Sequence, residues 1–160
     1  MSYASAVREL FGGVADEAFI ARLGLLVLHF HGSFWLDREH EFNTRLLLRS
    51  VGYGAWRNPR FFAVLYLFGS NRGLLKRAWN ACLPGGFDPG YMVMRGVSAP
   101  DYTLIQAAKA ITGFSSGLEL EDLADAEVVD NTAFRLIVNA LLIANYGPDV
   151  LKLGGTEITY

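Results

Sequence analysis

Five helix-capping residues stand just ahead of five apolar runs, and this arrangement limits what the chain can fold into more than any other feature. Asp37, Asn58 followed by Pro59, Asn71, Ser98 two residues before Pro100, and Asp130 each place a side-chain oxygen where the free N–H groups of a first helical turn need an acceptor. The apolar residues that follow recur at three- and four-residue steps. The pattern predicts a mainly α fold: a compact single-domain orthogonal helical bundle of about six or seven helices.

Residues 3–11 read as a short helix ended by Gly12 and Gly13, and Asp16 caps a longer one running from Glu17 to about Phe34. In the segment opened by Asp37, Glu39 and Glu41 occupy the first turn, where the helix dipole favours carboxylates, and Glu41 is spaced to pair with Arg45. Gly52 and Gly54 stop that run. The stretch Phe61 to Phe68 is apolar on every side, which suits only an enclosed position. A buried strand would carry the same composition, but Asn58 as cap and Pro59 at the first helical position favour a helix. From Asn71 to Leu83, Leu75, Ala78, Trp79 and Cys82 share one face, and Arg72, Lys76 and Asn80 share another.

Residues 84–97, opening with Pro84, Gly85 and Gly86, read as a long loop made sticky by Tyr91, Met92, Val93 and Met94. A helix from Ser98 through Phe114 is followed by an acidic segment, 119–130, in which Leu118, Leu120 and Leu123 let a short helix bury one side. The closing helix, Asn131 to Tyr146, ends at Gly147 and Pro148 in the expected order. These boundaries give one domain over residues 1–147, with 1–33 as a helical extension packed on it. Residues 148–160 then form a loose tail, although Val150, Leu151, Leu153 and Ile158 offer side chains that could dock.

A 160-residue chain suits one domain and one core, which buries roughly two thirds of the surface exposed on unfolding. An apolar fraction of 52% against 19% charged residues argues against disorder over most of the length. Cys82 is the single cysteine, so no intramolecular disulfide forms, and its mid-stripe position reads as a core filler in a reduced, cytoplasmic setting. Arg8 and Glu9 in the first ten residues argue against a secretory leader. The apolar stretch from Ala18 to Leu36 is interrupted by Arg22, His29 and His31, which favours a buried helix over a membrane span.

Charge is unevenly spread. Residues 38–95 carry nine Lys or Arg against three Asp or Glu, and residues 96–160 carry three against nine. Two readings follow: the two parts neutralise each other within one fold, or the basic middle presents a surface to nucleic acid. The candidate partner-binding residues are Arg45, Arg49, Arg57, Arg60, Arg72, Lys76 and Arg77, with Trp35, Trp56 and Trp79 as aromatic companions. The acidic 119–130 segment is the other candidate docking surface. Singly, each arginine also fits a solvated helix rim and each tryptophan a core position.

Reactive chemistry has little to build on. His29 and His31 share a face only on a strand, and the Glu39, His40, Glu41 cluster diverges on a helix, so neither makes a metal claw there. Nucleophilic catalysis lacks an oxyanion or phosphate loop, and the glycines at 84–90 lack the strand, spacing and lysine of a phosphate cradle. The carboxylates crowd into one segment instead of facing across a cleft. The expectation is a protein without catalytic residues, metal or cofactor.

From about Phe34 to Tyr146 the order of motifs resembles a family of small, uncharacterised bacterial helical domains of unknown function. The resemblance rests on Asp37, Arg38, Glu39, His40, Glu41, on Tyr66 through Asn71, on Leu104 through Gly113 and on Asn131 through Ile143. Thr112 stands where that family often has Asn, and residues 1–33 look like an extension. The resemblance implies a helical fold and carries over no site residues. Small size, a single domain and a charge-split surface point to a protein-binding module that neutralises or regulates a partner, such as an immunity protein, an antitoxin or a phage-encoded inhibitor of a host defence complex such as an anti-CRISPR. Nucleic-acid binding through the basic 38–77 face is the alternative. The apolar helices also leave a homo-oligomer open.

Overall fold

The computed structural model describes residues 1–153, and these contain eight α-helices: α1 (Tyr3–Phe11), α2 (Glu17–Leu28), α3 (Arg38–Val51), α4 (Pro59–Phe68), α5 (Arg72–Ala78), α6 (Ala99–Ile111), α7 (Leu120–Ala124) and α8 (Asn131–Tyr146). Short 3₁₀ turns cover Tyr53–Arg57, Pro89–Tyr91 and Pro148–Lys152, and two-residue strands β1 (Cys82–Leu83) and β2 (Gly86–Phe87) form a hairpin. The chain is a mainly α single domain, with eight α-helices among the described residues where the sequence suggests about six or seven.

Each capping residue does what its chemistry predicts. The side-chain oxygens of Asp37, Asn58, Asn71, Ser98 and Asp130 accept from the N–H groups of His40, Phe61, Leu74, Asp101 and Ala133 at 2.8, 3.2, 2.8, 3.3 and 2.8 Å. Asp16 caps α2 in the same way through Phe19 N–H at 2.9 Å. α4 is the central element: every residue from Phe61 to Phe68 is buried, and the helix packs most extensively on α8, then on α6 and α3. An element that is apolar all round forms a helix here because its neighbours enclose it on every side.

Three boundaries differ from the sequence reading. α2 stops at Leu28 instead of Phe34. His29 closes it, donating both its backbone N–H and its Nδ1 to Leu25 O at 3.1 and 2.8 Å, and Gly32 at φ 86° then turns the chain away. Phe30 thereby stacks on Tyr3 with ring centroids 3.7 Å apart, and Phe34 is buried edge-on against the same ring. α5 stops at Ala78, five residues short of Leu83, because Cys82 pairs with Phe87 across a two-residue Pro84-Gly85 turn. Burial of Phe87 against Phe68, with centroids 5.2 Å apart, favours this over continuing the helix to Leu83. α6 ends at Ile111, before Gly113 takes φ 84°.

The 84–97 stretch is consequently an ordered appendage: hairpin, 3₁₀ turn and the buried side chain of Met92 hold it to the body. The start of the tail also docks, since Val150 in the Pro148–Lys152 turn is buried and the turn packs on α8. Ile158 and the rest of 154–160 lie outside the described residues. No helix among the described residues is long and apolar enough to cross a membrane.

Candidate functional site

The exposed side of α3 and the outer side of α5 meet in a groove of about 640 Å³ lined by Glu39, Phe42, Leu46, Arg72, Lys76 and Trp79 among others. Its geometry follows from helix periodicity. Phe42 and Leu46 are one turn apart on α3, Arg72 and Lys76 one turn apart on α5, and the opposite sides of both helices carry the buried residues Leu47, Leu48, Leu74 and Ala78. Phe42 is 65% exposed and Trp79 40%, so two large aromatic side chains stand open on a surface that also carries two cations. Among the described residues no carboxylate comes within ion-pair distance of Arg72 or Lys76.

The seven basic residues singled out by sequence do not form one face. Arg72 and Lys76 line the groove. Arg49 lies two turns along α3 from Phe42 and is exposed, and Arg45 is held by Glu41 at 3.0 Å in the pair that the sequence spacing anticipates. Arg57 and Arg60 are exposed at the 3₁₀ turn and at the start of α4, away from the groove lining. Arg77 points elsewhere: its Nη1 donates to Val93 O at 2.7 Å and Arg95 O at 2.8 Å, tying down the loop after the hairpin. The acidic 119–130 segment carries Glu119, Glu121, Asp125 and Glu127 exposed, while Asp122 and Asp125 accept backbone N–H groups of Glu119 and Glu127 at 2.9 Å each.

The histidines take separate paths. His40 is fully buried, with Nε2 donating to Tyr66 O at 2.7 Å and Nδ1 accepting from Leu36 N–H at 3.1 Å. Burial pushes its pKa down from the usual 6.5 to about 4, against the opposing pull of the Tyr66 carbonyl and the carboxylates of Asp37 and Glu41. It is a neutral structural side chain whose role is hidden in sequence between two glutamates. His29 and His31 lie beyond the regular part of α2 and line a separate cleft with Arg22 and Arg135. Among the described residues no three His, Cys, Asp or Glu side chains converge as a metal-ligand set. Cys82 is buried, and burial raises its thiol to about 12.

A buried polar chain crosses the core. Tyr3 Oη donates to Asn139 Oδ1 at 2.6 Å, Asn139 Nδ2 to Tyr66 Oη at 3.2 Å, and Tyr66 Oη to Phe34 O at 2.5 Å. Burial raises both tyrosines above their ordinary range, so they act as fixed donors. The chain staples α1, α8, α4 and the 30–36 segment together, and its members are spent on structure. Comparison with protein-family models, with curated proteins and with solved structures gives no match.

Proposed function

We propose that this protein is a non-enzymatic binding module that neutralises or regulates a protein partner, docking an acidic surface into the α3–α5 groove. The observation that carries this reading is the pairing of exposed Phe42 and Trp79 with Arg72 and Lys76, cations that no carboxylate among the described residues approaches within ion-pair distance. Tryptophan and arginine are the side chains most often dominant at protein interfaces, and unpaired rim cations speed encounter with an acidic partner. The groove favours a protein over a nucleic-acid backbone because Glu39 lines it, Arg45 is already paired and Arg77 is committed to the loop, which breaks up any continuous track of free cations. An immunity protein, an antitoxin or a phage-encoded inhibitor of a host defence complex would use such a surface.

The test compares the wild type with an Arg72→Glu, Lys76→Glu double variant, both positions being exposed. A protein captured from the native cell by the wild type alone, purified and shown by titration calorimetry to bind through acidic residues, supports the reading. Equal retention by both proteins overturns it. Recovery of nucleic acid alone, with affinity falling steeply as salt rises, replaces it with the nucleic-acid alternative. Self-association lost in the variant replaces it with a homo-oligomer.

A further inference from the structure

A second concavity, of about 490 Å³, opens between the C-terminal half of α2, the 29–36 segment and the first turns of α8. Its walls are apolar, with Leu25, Leu26, Phe30, Leu36 and Phe134, and its polar lining is Arg22, Arg135, His29, His31, Asn131 and Thr132. Among the described residues no carboxylate lines it. Arg22 is 9% exposed, a permanent cation brought into the protein without an ion pair among the described residues. Its Nη1 donates to Leu123 O at 2.7 Å and its Nη2 to Val129 O and Asn131 Oδ1, the guanidinium carbon lies 4.3 Å from the centre of the Phe134 ring, and its Nε is buried with no acceptor. Arg135 also has no carboxylate within ion-pair distance among the described residues, and its Nη2 donates to Ser33 O at 2.9 Å and Trp35 O at 3.1 Å.

Asp130 and Asp125 act on Arg22 through space, but each is engaged with backbone: Asp130 caps α8 through Ala133 N–H, and Asp125 accepts from Glu127 N–H. A partly enclosed site with two guanidinium groups, apolar walls and no acidic lining selects for an anion, and its volume falls in the range of small-molecule sites, about 300–1,000 Å³. Asn131 and Thr132, the first residues of α8, line the same cleft. We propose that this cleft binds a small amphiphilic anion, its carboxylate held beside Arg135 and Arg22 and its hydrocarbon body laid against Leu25, Leu26, Phe30 and Leu36.

Octanoate serves as the probe, with octan-1-ol standing in for its apolar half and inorganic phosphate for its anionic half. Titration calorimetry with amide-shift mapping by nuclear magnetic resonance should show octanoate binding at Leu26, Phe30 and Thr132, more tightly than either half. Leu25 is 59% exposed at the rim, so Leu25→Asp places a negative charge there without touching the core and should weaken octanoate by about tenfold, and octan-1-ol, which loses only the apolar contact, by clearly less. Arg135→Gln should weaken octanoate similarly. Absence of binding at millimolar octanoate, equal affinity for octan-1-ol, equal affinity for phosphate, or insensitivity to Leu25→Asp overturns the proposal.

Discussion

His40 and Tyr66, 26 positions apart, are joined by a 2.7 Å hydrogen bond from the imidazole Nε2 to the backbone carbonyl of the central helix. The opposite ring nitrogen accepts from Leu36 N–H, so the ring is locked in the neutral state: a second proton would have to sit where an N–H already points. The groups whose charges bear on the ring are Asp37 and Glu41, which favour protonation, and Arg135, which opposes it.

Stability should therefore fall on the acid side. The folded-state pKa of about 4 lies below the ordinary 6.5, so between these values the unfolded chain binds the proton and the folded chain does not. The contribution is fully present above about pH 6.5 and is lost as the pH drops towards 4, amounting to about 3 kcal/mol at 1.36 kcal/mol per unit. Urea unfolding across this window checks it. His40→Gln keeps a donor and an acceptor but cannot titrate, and its stability should vary less with pH over the same interval.

Tyr66→Phe should cost about 1–3 kcal/mol, because it leaves Phe34 O and Asn139 Nδ2 buried without their partner. Tyr3→Phe removes the other end of the chain. The two losses should be non-additive in a double-mutant cycle read by chemical denaturation, since both hydroxyls act through Asn139.

Gly69→Ala should destabilise by about 1–3 kcal/mol. The backbone conformation of Gly69 is ordinary, but a methyl there would overlap Thr44 Oγ1 and lie 2.8 Å from the Thr44 backbone nitrogen, forcing α3 away from α4. The same movement would stretch the 3.1 Å bond from Asn43 Nδ2 to Gly69 O. A fall in thermal midpoint with Gly69→Ala, relieved only in part by Thr44→Ala in the same chain because the contact with the residue 44 backbone remains, is the expected outcome.

The Cys82 thiol should be inert in the folded protein. It is buried, and its pKa of about 12 leaves little thiolate at neutral pH. Labelling by a chromogenic disulfide should proceed only at the rate of unfolding or hairpin opening and become immediate in denaturant.

Arg77→Ala should cost about 1 kcal/mol and expose the Val93 to Val97 stretch to limited proteolysis, because the two bonds to Val93 O and Arg95 O are lost. Partner affinity should be little affected, in contrast to the Arg72 and Lys76 variants.

The local grammar of the chain was legible without coordinates. Caps at Asp37, Asn58, Asn71, Ser98 and Asp130 were readable because each acts within three residues of itself, and the enclosed place of Phe61 to Phe68 was readable because such a segment has no side to offer water. What the tertiary structure alone decided depends on contacts far apart in sequence. α2 ends early so that Phe30 and Phe34 reach Tyr3, Cys82 leaves its helix to pair beside Phe87, and Arg77 turns from the basic face to hold a loop sixteen residues away. His40 between two glutamates looks like a surface residue until Tyr66 and Leu36 close around it, and Arg22 looks like a break in an apolar run until three oxygens and the Phe134 face receive it. Periodicity records which side of an element is apolar, whereas the fate of a buried polar group depends on partners that only the folded chain brings within hydrogen-bond distance.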